Sequence, residues 1–147
     1  MRILVVSREV PPVGGGAGAV ALDLSRALVA AGHQVHVLTM AFEDLPEHET
    51  IGGVSVERLE SGRRDRDSAY LGSMVRFVRA AGRRSRALAA DFDVAHAHAI
   101  VPDGIAALRS GLPTVITAHG TDVPGYDPHR YRRIHQIIRP LWRRVVR

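Results

Sequence analysis

The sequence predicts an α/β domain with a mostly parallel sheet, and three observations carry that expectation. Short β-rich apolar runs alternate with helix-length segments along the chain, the pattern of βαβ units. The first run, Ile3–Ser7, shows no polar alternation, as befits a strand buried on both faces. Finally, 147 residues are enough for one domain with a real core and too few for two full α/β domains.

Ile3–Ser7 is the expected first strand. Ala17–Ala31 reads as a helix with Val20, Leu24, Ala27, Leu28 and Ala31 on one inward stripe, stopped by Gly32. Gln34–Met40 is the second strand, and Val54–Leu59 the third, after a Gly52-Gly53 turn. Residues 60–69 form a charged loop. The next helix is expected to bury Leu71, Met74, Val75, Val78 and Ala81 and to turn Arg76, Arg79, Arg83 and Arg86 outward. Asp93–His98 is the fourth strand, Pro102–Arg109 a short helix opened by proline, and Pro113–His119 the fifth strand. The stretch from about His129 to Arg147 reads as a helix that Pro140 kinks or splits. It carries Ile134, Ile137, Ile138, Leu141 and Val145 on one face, and the sequence stops inside it without a polar linker. The chain is therefore expected to be cut from a longer protein.

Composition narrows the function classes. No apolar run approaches the ~20 residues that cross a bilayer, and Ile3–Val6 is too short for the core of a signal peptide. A cytoplasmic location is expected. The absence of cysteine excludes disulfides and thiolate metal sites. The net charge is +5, and all 20 basic residues are arginine. Arginine without lysine fits the codon bias of a GC-rich genome as well as it fits an anionic partner. The arginines cluster, however, at 63–86 and 130–147. Arg76, Arg79, Arg83, Arg84 and Arg86 form either a peripheral contact with an anionic membrane or an ordinary solvated helix face. Nucleic acid is not an expected partner: helix-turn-helix pattern, zinc-finger spacing and aromatic-rich strands are all missing.

Two constellations carry chemistry. Pro11-Pro12-Val13-Gly14-Gly15-Gly16-Ala17-Gly18 joins the first strand to the first helix. Its glycines let backbone approach a ligand, and the helix start offers free N–H groups to a phosphate or diphosphate. A plain flexible turn is the competing account. A nicotinamide site fits poorly, because Arg8–Val13 intervene after the strand and the second strand ends at Thr39-Met40 where a ribose-binding carboxylate belongs. Walker A chemistry fails for want of lysine. The second constellation lies at strand ends: His96 and His98 close the fourth strand, and His119-Gly120-Thr121-Asp122 close the fifth. Ligands of open parallel sheets bind beyond the carboxyl ends of the strands, so Gly15, Gly16, His98, His119 and Asp122 are expected on one rim. His96 reads as a satisfied buried histidine. No metal is expected, since the histidine pair lacks a third ligand at recognisable spacing.

The stretches "MRILVVSREVPPVGGGAGAVALDLSRALVAAGHQVHVLT" and "DFDVAHAHAIVPDGIAALRSGLPTVITAHGTDV" resemble the N-terminal domain of retaining GT-B glycosyltransferases of family four. The resemblance covers nearly the whole chain. It implies a Rossmann-like three-layer α/β/α domain that is one half of a GT-B architecture, facing a C-terminal domain that binds most of a nucleotide-sugar donor. By this resemblance His119 contacts the donor sugar near the reacting carbon. Gly15 and Gly16 meet the diphosphate or a nearby acceptor group, and Thr121 and Asp122 line the acceptor side. The acceptor is a sugar, a lipid or a small molecule. The nucleotide-sugar is a co-substrate, and no cofactor is implied. A lipid acceptor would place the enzyme peripherally at the inner membrane face. The paired glutamates and basic phosphate-binding groups of the family's donor half are absent from this sequence, so the chain alone is expected to be inactive. A stand-alone nucleotide or sugar-phosphate binding module is the other function class.

Overall fold

A computed structural model describes residues 1–67, 69–123 and 136, with the backbone only of Thr121. The expected helix over His129–Arg147, with its Pro140 break, lies outside the described residues apart from Gln136. Six strands run β1 (Arg2–Val6), β2 (Gln34–Met40), β3 (His48–Ile51), β4 (Val54–Leu59), β5 (Val94–Ala97) and β6 (Thr114–Ile116). The helices are α1 (Gly16–Ala30), α2 (Leu71–Leu88) and the single turn α3 (Ile105–Ala107), the last flanked by irregular helical turns over Ile100–Gly104 and Leu108–Ser110.

The sheet order is β3-β4-β2-β1-β5-β6. All pairings are parallel except β3 with β4. β1 is thus central, and the chain crosses from one side of it to the other between β4 and β5. This is a Rossmann-like α/β sheet, as the alternating pattern predicts. β3 was not foreseen: it lies within a stretch of charge and Pro, and only its antiparallel pairing to β4 across Gly52-Gly53 makes it a strand. The expected first, fourth and fifth strands also end one to three residues earlier than their apolar runs.

Each sheet face carries its own core. On the α1 side Ile3, Val5, Val35, Val37, Val54 and Val56 pack with Leu22 and Val10. On the α2 side Val6 and Met40 pack with Phe77, Ala81, Ala95, Ala97, Ala106 and Ala107. The helices dock through different faces from those their large side chains suggest. α1 buries Gly18, Ala21, Leu22 and Ser25, while Val20 is 48% and Leu24 38% exposed, and Ala27 and Ala31 are exposed too. α2 buries Ser73, Phe77, Ala81, Gly82 and Ser85, leaving Leu71 and Val75 exposed and Met74 and Val78 half-buried. The reason is distance. A Cβ on Gly18 would lie 2.8 Å from the Glu9 carbonyl oxygen, so α1 sits against the β1–α1 loop more closely than a larger face permits. On the other side, the small alanines of β5 and the 106–107 turn let α2 come close and seat Phe77, the largest fully buried side chain, against them.

Arg76, Arg79, Arg83 and Arg86 do face outward on α2. Arg84 does not belong with them. Its Nε donates to Glu57 Oε1 at 2.7 Å, and His36 Nε2 lies 3.0 Å from the other carboxylate oxygen. Burial works to raise the Glu57 carboxyl, but the bonds from Arg84 and His36 outweigh it and hold the group below its ordinary value.

Candidate functional site

The carboxyl ends of β1, β5 and β6 lead into the segments that build the site. β1 continues through Ser7, Arg8 and Glu9 into the glycine loop. The Val6 carbonyl accepts from the His98 N–H at 3.0 Å, which extends β1–β5 pairing by one residue and fixes where the imidazole leaves the sheet. On the other flank Thr117 N–H donates to the Ala97 carbonyl at 2.9 Å, carrying the chain toward His119.

Three histidines form a stack there. The rings of His96 and His98 have centroids 4.4 Å apart, and those of His98 and His119 are 5.6 Å apart with planes 24° from parallel. His96 Nε2 lies 2.8 Å from Thr117 Oγ1, so it is a satisfied, half-buried histidine, as expected. His98 is 1% exposed, and its Nδ1 lies 3.4 Å from His119 Nε2. Burial first, then the neighbouring imidazoles, push His98 down to about 3, so it is neutral at physiological pH. Among the described residues its Nε2 is buried without a hydrogen-bond partner. His119 itself is half-buried. The Asp122 carboxylate accepts from the His119 backbone N–H at 3.2 Å and the His119 carbonyl accepts from the Asp122 N–H at 2.7 Å, holding the turn Gly120–Asp122 against the strand end. Thr121 lies in that turn, and its side chain is outside the described residues.

The glycine loop opens α1, with Gly15 capping the helix and Gly16 in its first turn. Nothing lies within 4 Å of where a side chain would start on Gly15 or Gly16, so both present open backbone. The Gly15 N–H is nonetheless engaged: it donates to Glu9 Oε2 at 2.7 Å. Gly14, at φ +89°, supplies the left-handed turn that brings this carboxylate onto the helix start. Glu9 also pairs with Arg8, Nη2 to Oε1 at 3.3 Å. The structure therefore fills the expected anion cradle with a carboxylate of the chain itself.

Behind it lies Asp103, fully buried. Its Oδ1 accepts from the Arg8 backbone N–H at 3.2 Å, and its Oδ2 stands 3.6 Å from Arg8 Nη1. Burial is the main cause that pushes this carboxyl up to about 7; Arg8 opposes the shift, and Asp122 and Glu9 add to it. The charged loop 60–69 braces the same rim. Arg63, 8% exposed, donates to the carbonyls of Arg8 (3.2 Å), Asp65 (2.8 Å) and Arg66 (2.8 Å), and Arg66 reaches the Pro12 carbonyl at 2.7 Å. Arg8, Glu9, Arg63 and Asp103 were not singled out from sequence. Asp103 carried one weak signal, a lone acid in the apolar run after Pro102. The others gave none, because only the crossover beside β1 brings them together.

Among the described residues no group of three His, Asp or Glu side chains is placed to hold a metal ion. An open hollow of about 390 Å³, lined by Arg2, Gln34, His36, Ser55 and Phe92 among others, sits at the amino ends of the strands, away from His96, His98 and His119.

Comparison with known proteins adds four findings. The sequence model of glycosyltransferase family 4 matches residues 14–147. An uncharacterized glycosyltransferase of Methanocaldococcus jannaschii is 43% identical over 60 residues, which are 40% of this chain and 15% of that protein. Among solved structures, sucrose-phosphate synthase from Thermosynechococcus elongatus superposes with a TM-score of 0.65 at 19% identity, over 94% of this chain and 39% of that one. The C-terminal domain of a hydrogenase from Pyrococcus furiosus gives 0.52 at 21%, over 78% and 89% of the two chains. At such identities the two structural likenesses speak for the fold alone, and two such different proteins share it.

Proposed function

Because this chain belongs to glycosyltransferase family 4, we propose that residues 1–147 are the N-terminal, acceptor-side domain of a GT-B enzyme that transfers a sugar from a nucleotide-sugar to an acceptor with retention of configuration. The observation that supports it most is the half-buried His119, three residues beyond the end of β6 and 3.4 Å from the buried His98. In this reading His119 hydrogen-bonds the transferred sugar near the reacting carbon. Asp122 and Thr121 line the side from which a sugar, lipid or small-molecule acceptor approaches. Gly15 and Gly16 turn backbone N–H groups toward the donor diphosphate, and a phosphate oxygen reaches the Gly15 donor by displacing Glu9.

The rest of the diphosphate charge falls to a C-terminal domain. Stabilising the departing group is commonly the largest electrostatic contribution to such a transfer. The proposed enzyme works in the cytoplasm, with the nucleotide-sugar as co-substrate and no cofactor. Arg76, Arg79, Arg83 and Arg86 give it a peripheral foothold on an anionic inner membrane face.

A transfer assay with a panel of nucleotide-sugars tests the proposal. The full-length enzyme is expected to turn over, and residues 1–147 alone to give no measurable product. His119→Ala in the full-length enzyme is expected to lower turnover roughly 10²-fold, the usual loss of a positioned polar group. Robust transfer by the chain alone, or near-normal turnover by a folded His119→Ala enzyme, overturns it.

A further inference from the structure

The buried ring of His98 has one nitrogen against His119 and the other without a hydrogen-bond partner among the described residues, and that asymmetry decides where protons sit. A neutral imidazole has one N–H donor and one lone pair. If His98 carried its proton on Nε2, that N–H would be sealed from solvent with no acceptor among the described residues, and buried orphan donors are the rarer and costlier defect. A proton on Nδ1 leaves only a lone pair unmatched. It also gives the His98–His119 contact of 3.4 Å a donor.

We propose that His98 is a positioning residue that donates from Nδ1 to His119 Nε2, and so fixes His119 as the Nδ1–H tautomer. His119 Nε2 is then the acceptor of that bond, and the only nitrogen left to carry the ring proton of neutral His119 is Nδ1. Among the described residues nothing bonds His119 Nδ1. Toward a ligand His119 is therefore a fixed donor, which takes an oxygen that accepts: a sugar hydroxyl, a ring oxygen or a phosphate oxygen. Free imidazole side chains favour the opposite Nε2–H form, so the tautomer reports on His98 and not on intrinsic preference. His98 itself, 1% exposed, acts on a ligand only through His119. The functional meaning rests on the proposed role of His119, whereas the proton placement does not.

Nitrogen-15 spectra of the labelled chain, which separate protonated from bare ring nitrogens, test it without any transfer reaction. The expected pattern in the unmodified chain at neutral pH is protonated Nδ1 and bare Nε2 on His119, with protonated Nδ1 on His98. His98→Asn, whose amide nitrogen falls where Nδ1 was, is expected to keep the His119 pattern. His98→Leu is expected to switch it to Nε2–H. A bare Nδ1 on His119 in the unmodified chain overturns the inference, and so does an unchanged pattern in His98→Leu. Should the leucine variant fail to fold, the unmodified chain and His98→Asn still decide. In the full-length enzyme His98→Asn is expected to retain kcat within a few-fold, while a folded His98→Leu enzyme loses about tenfold in kcat. If the tautomers hold and turnover ignores both variants, the role given to His119 fails and the proton placement stands.

Discussion

Asp103 shows how one side chain sets a pH dependence for the whole rim. It ionises near 3.8 when unfolded and near 7 in the folded chain, because burial disfavours its charge more than Arg8 favours it. Between those values the folded state holds a proton that the unfolded state has released. Stability must therefore fall as pH rises through that window, by at most about 1.4 kcal/mol per unit, and level off above it. Asparagine cannot ionise. The stability of the unmodified chain relative to Asp103→Asn, from urea titrations, is expected to decline between pH 4 and 7 and to be flat from pH 7.5 upward; a constant difference across the range would refute this assignment. Glu9 illustrates a different lesson at the same scale. Its position on the Gly15 N–H follows from a loop conformation, and no residue pattern announces it.

At the scale of elements, sequence disclosed which segments are helices and strands better than which way they face. The valine-rich runs of β1, β2 and β4 and the glycine that ends α1 were legible because local chemistry alone dictates them. The inward faces of α1 and α2 were legible only in part: Leu28, Met74 and Ala81 reach the cores as expected, and the rest of each stripe does not. Large apolar residues mark a plausible stripe, but the helix turns instead to the side where small residues allow close approach, and Val20, Leu24, Leu71 and Val75 end up outside. Of the site, the placement of His98 and the glycine loop just beyond the carboxyl ends of parallel strands follows from strand-end logic; the Arg8–Glu9–Asp103 cluster was not readable, since it depends on the crossover between β4 and β5. Gly18→Ala tests the close-approach account: it should cost about 1–3 kcal/mol, as overpacking does, despite alanine's better helix propensity. An unchanged urea midpoint would show that the helix can simply back away. The outward face of α2 is a separate matter. Its arginines, with Leu71 and Val75 exposed beside them, should bring the chain down with anionic vesicles in co-sedimentation and not with neutral ones. Equal binding to both, or to neither, removes the membrane foothold.

At the scale of the molecule, the parallel strands put the glycine loop and His98 beyond their carboxyl ends and the open hollow at their amino ends. No helix among the described residues is long and apolar enough to cross a membrane. The two cores have different sequence origins. The one against α1 draws its buried members from Ile3 to Val56, while the one against α2 needs residues as late as Ala107. That difference has a consequence in time. Contacts closing shorter loops form sooner, because less chain entropy is lost in closing them. The half-sheet β4-β2-β1 with α1 can thus assemble while the segment destined to become β5 is still unpaired, and β1 waits with one edge open. Pulse-labelled hydrogen exchange during refolding should find the amides of β2 and β4 protected before those of β5 and β6. Simultaneous protection on both sides of β1 would mean that the two halves condense together, and that the central strand is never left half-dressed.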